Sequence, residues 1–154
     1  SLTAALVVQA VTAARPAPLW LQLLADVGSA AVLGSTLTAM LLGHWYLTTP
    51  TMSLQPLRWF CPVLAVAALV RLAATLAGIA EIDLQTLDLI RWLWLSLRVL
   101  GGVLGPLLAA ILVRSILQYR NTQSATGVLF AILILVFMGE MSAALLERDF
   151  GLPL

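Results

Sequence analysis

Four long apolar runs dominate the chain, covering about residues 19–47, 56–79, 89–117 and 122–146. An α-helix rises ~1.5 Å per residue and the hydrocarbon core of a bilayer is ~30 Å thick, so each run is long enough to span it. The first would reach about 43 Å, so it must tilt or protrude. In lipid the backbone has to satisfy its own hydrogen bonds, which these runs do as helices. Short connections then predict an all-α polytopic membrane protein. Its four transmembrane helices form an up-down-up-down bundle, with residues 1–154 as one membrane domain.

Composition agrees. Only 10% of the 154 residues are charged and 62% are hydrophobic, with mean hydropathy +1.05; a soluble domain carries about 25% charged residues. A net charge of +1 gives no electrostatic basis for nucleic-acid binding. All eight basic residues are arginine, which reads as coding bias. The single Cys61 excludes an internal disulfide or a multi-cysteine metal or iron–sulfur site within this chain; it sits before Pro62 at an expected helix start, as a small buried apolar residue.

The ends of the spans are punctuated. Pro16 and Pro18 precede the first run, Pro50 follows it, and Pro56 opens the second. The polar stretch Glu81–Asp88 separates spans two and three, and a tight turn from Tyr119 precedes span four. The N-terminal segment, residues 1–16, is apolar over Ser1–Ala14 but too short to span and has no basic flank. A short interfacial helix, the end of a processed precursor and the remainder of a longer helix stay open for it. Side A denotes the face with the N-terminus, the 81–88 loop and the C-terminus; side B carries the other two turns. Arginines flank A (Arg15, Arg91, Arg148) and B (Arg58, Arg114, Arg120) equally, so the positive-inside rule leaves orientation open, with a lean towards side B as cytoplasmic.

Helices associate in lipid through close backbone approach and polar contacts. Span one carries Ala31, Ser35, Ala39 and Gly43 at four-residue spacing, beside a second line of Ala30, Gly34 and Thr38. Span three carries Gly101, Gly105 and Ala109. Pro106 removes the helical bond to the Gly102 carbonyl, so a kink or local unwinding is expected there. These faces offer more contacts than four helices need, and at least one of the Ala31–Gly43 and Gly101–Ala109 stripes is expected to meet a helix of another subunit or of another copy.

Ionisable residues within spans are costly and point inward or into a cavity. Asp26, Arg71, Arg98 and Glu140 lie well inside. With alternating helix directions they fall roughly 23–32 Å from side B, as one polar layer displaced towards side A. Two acids and two arginines balance, so the layer is expected to lock the bundle as two ion pairs. A proton or ion pathway is the functional alternative.

His44 is the one histidine of the chain. Trp45, Tyr46 and Trp59 gather at its level as an interfacial aromatic belt, and a histidine near a helix C-terminus suits the dipole. His44 with Trp45, Tyr46, Tyr119, Thr122, Gln123 and Ser124 is the preferred candidate ligand site, while Asn121 or Thr122 is expected to cap span four. A haem b or quinone there is the alternative to no cofactor, which is what the chain predicts.

The sequence has no Gly-rich phosphate loop, no Ser-His-Asp set and no metal-binding histidine pair. No catalytic or metal residues are therefore assigned, and no enzyme is expected. The leading expectation is a non-catalytic integral subunit or scaffold of a larger bacterial inner-membrane complex, with energy transduction as its expected setting. Its partners would be membrane lipid and other membrane subunits or copies of itself. The rivals are a small transporter or ion-conducting unit using the charged layer, and a haem- or quinone-binding redox anchor using His44.

Overall fold

The computed structural model describes residues 18–49, 53–80 and 87–150. The segment 1–16, Pro50, loop residues 81–86 and residues 151–154 lie outside the described residues. Four helices follow in order: α1 (Leu19–Thr48), α2 (Gln55–Ala80), α3 (Leu89–Gln118) and α4 (Thr122–Phe150). All four are long and apolar enough to cross a membrane.

Local chemistry explains several of the ends. Pro18 opens α1, its carbonyl accepting from the Leu21 and Gln22 N–H groups. At the other end of α1 the Tyr46 hydroxyl donates to the Ser53 carbonyl, tying the helix to the start of α2. Asn121 caps α4, its Oδ1 accepting from the Ser124 N–H at 3.0 Å, as an N-cap side chain does. The turn before it reverses direction through Arg120, whose φ of 56° lies in the left-handed region. Because α2 begins at Gln55, Pro62 stands inside that helix rather than at its start.

Helix α3 is not uniform. Between Leu89–Leu97 and Gly105–Gln118 it widens into a seven-residue π-helical segment, Arg98–Leu104. The Gly105 N–H donates to the Leu100 carbonyl, five residues back. Pro106 has no N–H to hold the usual spacing, so the expected irregularity takes the form of a wide turn. Glycines at 101 and 102 make that turn compatible with tight packing.

The interior is layered. Near the 119–121 turn an apolar cluster joins Ala39, Tyr46, Leu57, Cys61, Val113, Leu117, Ala125 and Leu129. A smaller cluster of Val32, Ala67, Ala68 and Val136 follows, and Leu95 with Leu146 forms a third near Leu87 and Ile79. Adjacent helices meet at Gly28–Arg71, Gly43–Thr126, Arg58–Leu117 and Gly102–Gly139.

Contrary to the expectation that one of them faces outward, both the Ala31–Gly43 and the Gly101–Ala109 stripes turn into the bundle, where α4 packs against them. Ser35, Ala39 and Gly43 are buried and Ala31 is half-buried, with Thr126 of α4 lying over Gly43. Gly101, Gly105 and Ala109 are buried too, and a Cβ at Gly101 would meet the Leu135 carbonyl oxygen at 2.9 Å. The line left on the outside is Ala30, Gly34 and Thr38.

Candidate functional site

Between the second and third apolar layers lies a buried charged cluster. Glu140 on α4 accepts from Arg71 on α2 (Nη2 to Oε2, 3.1 Å; Nε to Oε1, 3.4 Å). It also accepts from Arg98 on α3, Nη1 to Oε1 at 2.7 Å. The Ser29 hydroxyl on α1 adds a donor to Oε2 at 2.8 Å, and Arg98 Nη2 donates to Thr75 Oγ1 at 3.3 Å. Every helix contributes. Arg98 is wholly enclosed and the Glu140 side chain only 13% exposed.

The backbone makes room for this chemistry. The π-helical turn begins at Arg98, and its Gly102 packs against Gly139, the residue before Glu140. A Cβ at Gly139 would collide with the Gly102 backbone, and one at Gly102 would come within 2.7 Å of Arg98 Nη1. On α1, Gly28 lies over the Arg71 stem, where a Cβ would sit 3.2 Å from Cδ. Three glycines therefore let two long guanidinium side chains lie flat between helices.

Arg71, Arg98 and Glu140 thus meet, and Asp26 does not join them. Asp26 is exposed on α1, and among the described residues it makes no ion pair. It lines a cavity of about 180 Å³ together with Ser29, Arg71, Glu140 and Glu147. The enclosed set is one carboxylate between two guanidiniums, formally +1, rather than two balanced pairs. Arg98 Nε is buried with no hydrogen-bond partner among the described residues. The arrangement locks four helices through a shared acceptor, and removing that acceptor leaves two like charges facing each other.

The second candidate region divides. His44 and Gln123 line one groove of about 630 Å³ between α1 and α4, with Met40, Leu41, Leu47, Thr126, Gly127 and Phe130. Trp45 is exposed, Tyr46 is buried and committed to Ser53, and Tyr119 is exposed away from the groove lining. Thr122 serves the start of α4, its carbonyl accepting from Thr126 Oγ1, and the Ser124 N–H is held by Asn121. The groove could take a flat polar-edged ligand, with an imidazole and an amide as its hydrogen-bonding groups. Met40 lies one turn from His44 on the same helix, so it cannot clamp the opposite face of a haem. Among the described residues no three His, Cys, Asp or Glu side chains group to hold a metal ion.

Sequence reasoning passed over Ser29, Thr75 and Gly139, and named Gly102 only for the carbonyl that Pro106 leaves unbonded. Gly139 stands beside the buried acid and Gly102 doubles a glycine already singled out, so both carried a local signal. Ser29 and Thr75 carried none, because small hydroxyl residues occur throughout apolar helices. No family model matches the chain, and neither a curated protein nor a solved structure matches it.

Proposed function

We propose that this chain is a non-catalytic integral membrane subunit, a four-span scaffold that docks against transmembrane helices of a larger bacterial inner-membrane complex. The contacts Ser29–Glu140 and Gly43–Thr126 between α1 and α4, and Arg58–Leu117 and Thr75–Arg98 between α2 and α3, run in opposite order along each pair, which supports an up-down-up-down course. Helical spans, rather than a closed barrel, favour the inner over the outer membrane.

The observation that carries the subunit reading is the exposed line Ala30, Gly34 and Thr38. Nothing lies within 4 Å of a Cβ built on Gly34, and the Thr38 hydroxyl is satisfied by the Gly34 carbonyl at 2.7 Å. A second helix can approach this backbone closely and meets no unsatisfied hydroxyl; lipid chains fill such a groove less well. Mass measurement in mild detergent tests the reading. Wild-type protein should carry partner chains, and Gly34→Leu should shed them while remaining inserted. A monomeric wild type with nothing co-purifying from its native membrane would end it.

A second reading, a small transporter, rests on the cavity that reaches Arg71 and Glu140 past exposed Asp26 and Glu147. The apolar layers around Val32 and Val136, then Leu57 and Leu117, stand between this cluster and the 119–121 turn. Transport would require those layers to part. Proton or anion flux in liposomes that is abolished by Asp26→Asn would favour it over the scaffold.

A further inference from the structure

Near the 119–121 turn, a groove of about 600 Å³ runs between α2 and α3, lined by Gln55, Arg58, Trp59, Pro62, Arg114 and Gln118. On α2 the positions 55, 58, 59 and 62 follow the 3–4 spacing of one helix face, and 114 and 118 do the same on α3. Two guanidiniums, two amides and an indole are therefore presented together by two different helices. We propose that this groove binds the phosphate of an anionic glycerophospholipid, with Arg58 and Arg114 as the phosphate ligands. The proposal rests on the membrane-spanning reading and adds a specific lipid to it.

Charge complementarity selects the headgroup. Neither arginine has an ion-pair partner among the described residues, and no acidic side chain lines the groove. The acids among the described residues, Asp26, Asp88, Glu140, Glu147 and Asp149, are not part of its lining. Arg58 Nη2 donates to the Leu117 carbonyl at 3.2 Å, beside the backbone N–H of Arg120 that the same oxygen accepts, and this contact holds the guanidinium in place at the end of α3. The rest of its planar fork stays available, and guanidiniums match phosphate oxygens in pairs.

Depth selects a lipid over a soluble anion. Arg58 lies three residues after the start of α2 and Arg114 four before the end of α3, about 5–6 Å from the helix ends. That is headgroup level, where Trp59, 67% exposed, supplies an interfacial aromatic. Deeper on the same faces stand the exposed apolar side chains Val66 and Ile111. A lipid can place its phosphate on the arginines and run an acyl chain over these two. Basic grooves between transmembrane helices on the cytoplasmic side bind such headgroups.

Binding of dibrominated lipids, read by tryptophan quenching of the full chain in phosphatidylcholine vesicles, tests this. Phosphatidylglycerol should bind about thirtyfold more tightly than phosphatidylcholine, as two arginines near an anionic lipid supply. The double substitution R58Q/R114Q should remove that preference, while R120Q, in the turn outside the groove, should keep it. Equal loss in R120Q would reduce the effect to diffuse surface charge and overturn the site. Displacement of the lipid by millimolar inorganic phosphate would make a free anion the ligand and overturn it as well. Flotation of every variant with the vesicles reads insertion separately. Wild-type protein that fails to float refutes the membrane reading, whereas floating protein without lipid preference refutes only this site.

Discussion

Arg98 donates to Glu140 Oε1 over 2.7 Å from a position with no solvent exposure, and the same carboxylate accepts from Arg71. One acid thus holds two guanidiniums inside the bundle. Glu140→Gln keeps the shape but leaves two adjacent cations with no counter-charge. The expected cost is about 3–5 kcal/mol, seen in thermal unfolding in detergent. Adding Arg98→Met should restore part of it, because the two sites share a partner and cannot be additive. Unchanged stability in Glu140→Gln would show that the cluster does not hold the helices.

The crossing of Gly102 and Gly139 should tolerate no side chain at the α4 position. Gly139→Ala forces backbone apart from backbone, and a loss of roughly 1–3 kcal/mol is expected. Gly127→Ala is the control, since nothing lies within 4 Å of its Cβ. There the better helix propensity should add about 0.5–1 kcal/mol. Similar effects at both positions would contradict the close crossing.

Arg120 holds a left-handed conformation without being glycine. Arg120→Gly should stabilise the protein by about 0.5–1 kcal/mol by relieving the Cβ–carbonyl clash of that region. Arg120→Val should destabilise it, because β-branching makes φ above zero harder still. Melting temperatures of the two variants should therefore move in opposite directions.

Topology can be read with cysteines placed in a Cys61→Ala background. Thr48→Cys and Tyr119→Cys should react together with an impermeant maleimide from one face, and Asp88→Cys from the other. Shared accessibility of all three positions would contradict four crossings.

The helices themselves were legible in the chain. Expected spans of 19–47, 56–79, 89–117 and 122–146 became Leu19–Thr48, Gln55–Ala80, Leu89–Gln118 and Thr122–Phe150. Length and hydropathy decide this, because the hydrogen bonds of a helix are local and an apolar run needs no partner to form them. Axial level was legible too: counting residues placed Arg71, Arg98 and Glu140 in one layer, and they meet. So was the disturbance at Pro106, which follows from a missing N–H.

Rotation about each helix axis was decided only by tertiary packing. In a soluble helix the polar face reveals which side points outward, but here core and outward-facing positions are both apolar, and periodicity does not separate them. Asp26 shares the level of the cluster yet faces out, whereas the Ala31–Gly43 and Gly101–Ala109 stripes both turn in. The same ambiguity hid the meeting of Gly102 with Gly139 and the groove shared by Arg58 and Arg114. Depth along a helix is arithmetic on the chain; azimuth depends on which neighbours fit, and those come from residues far away in sequence.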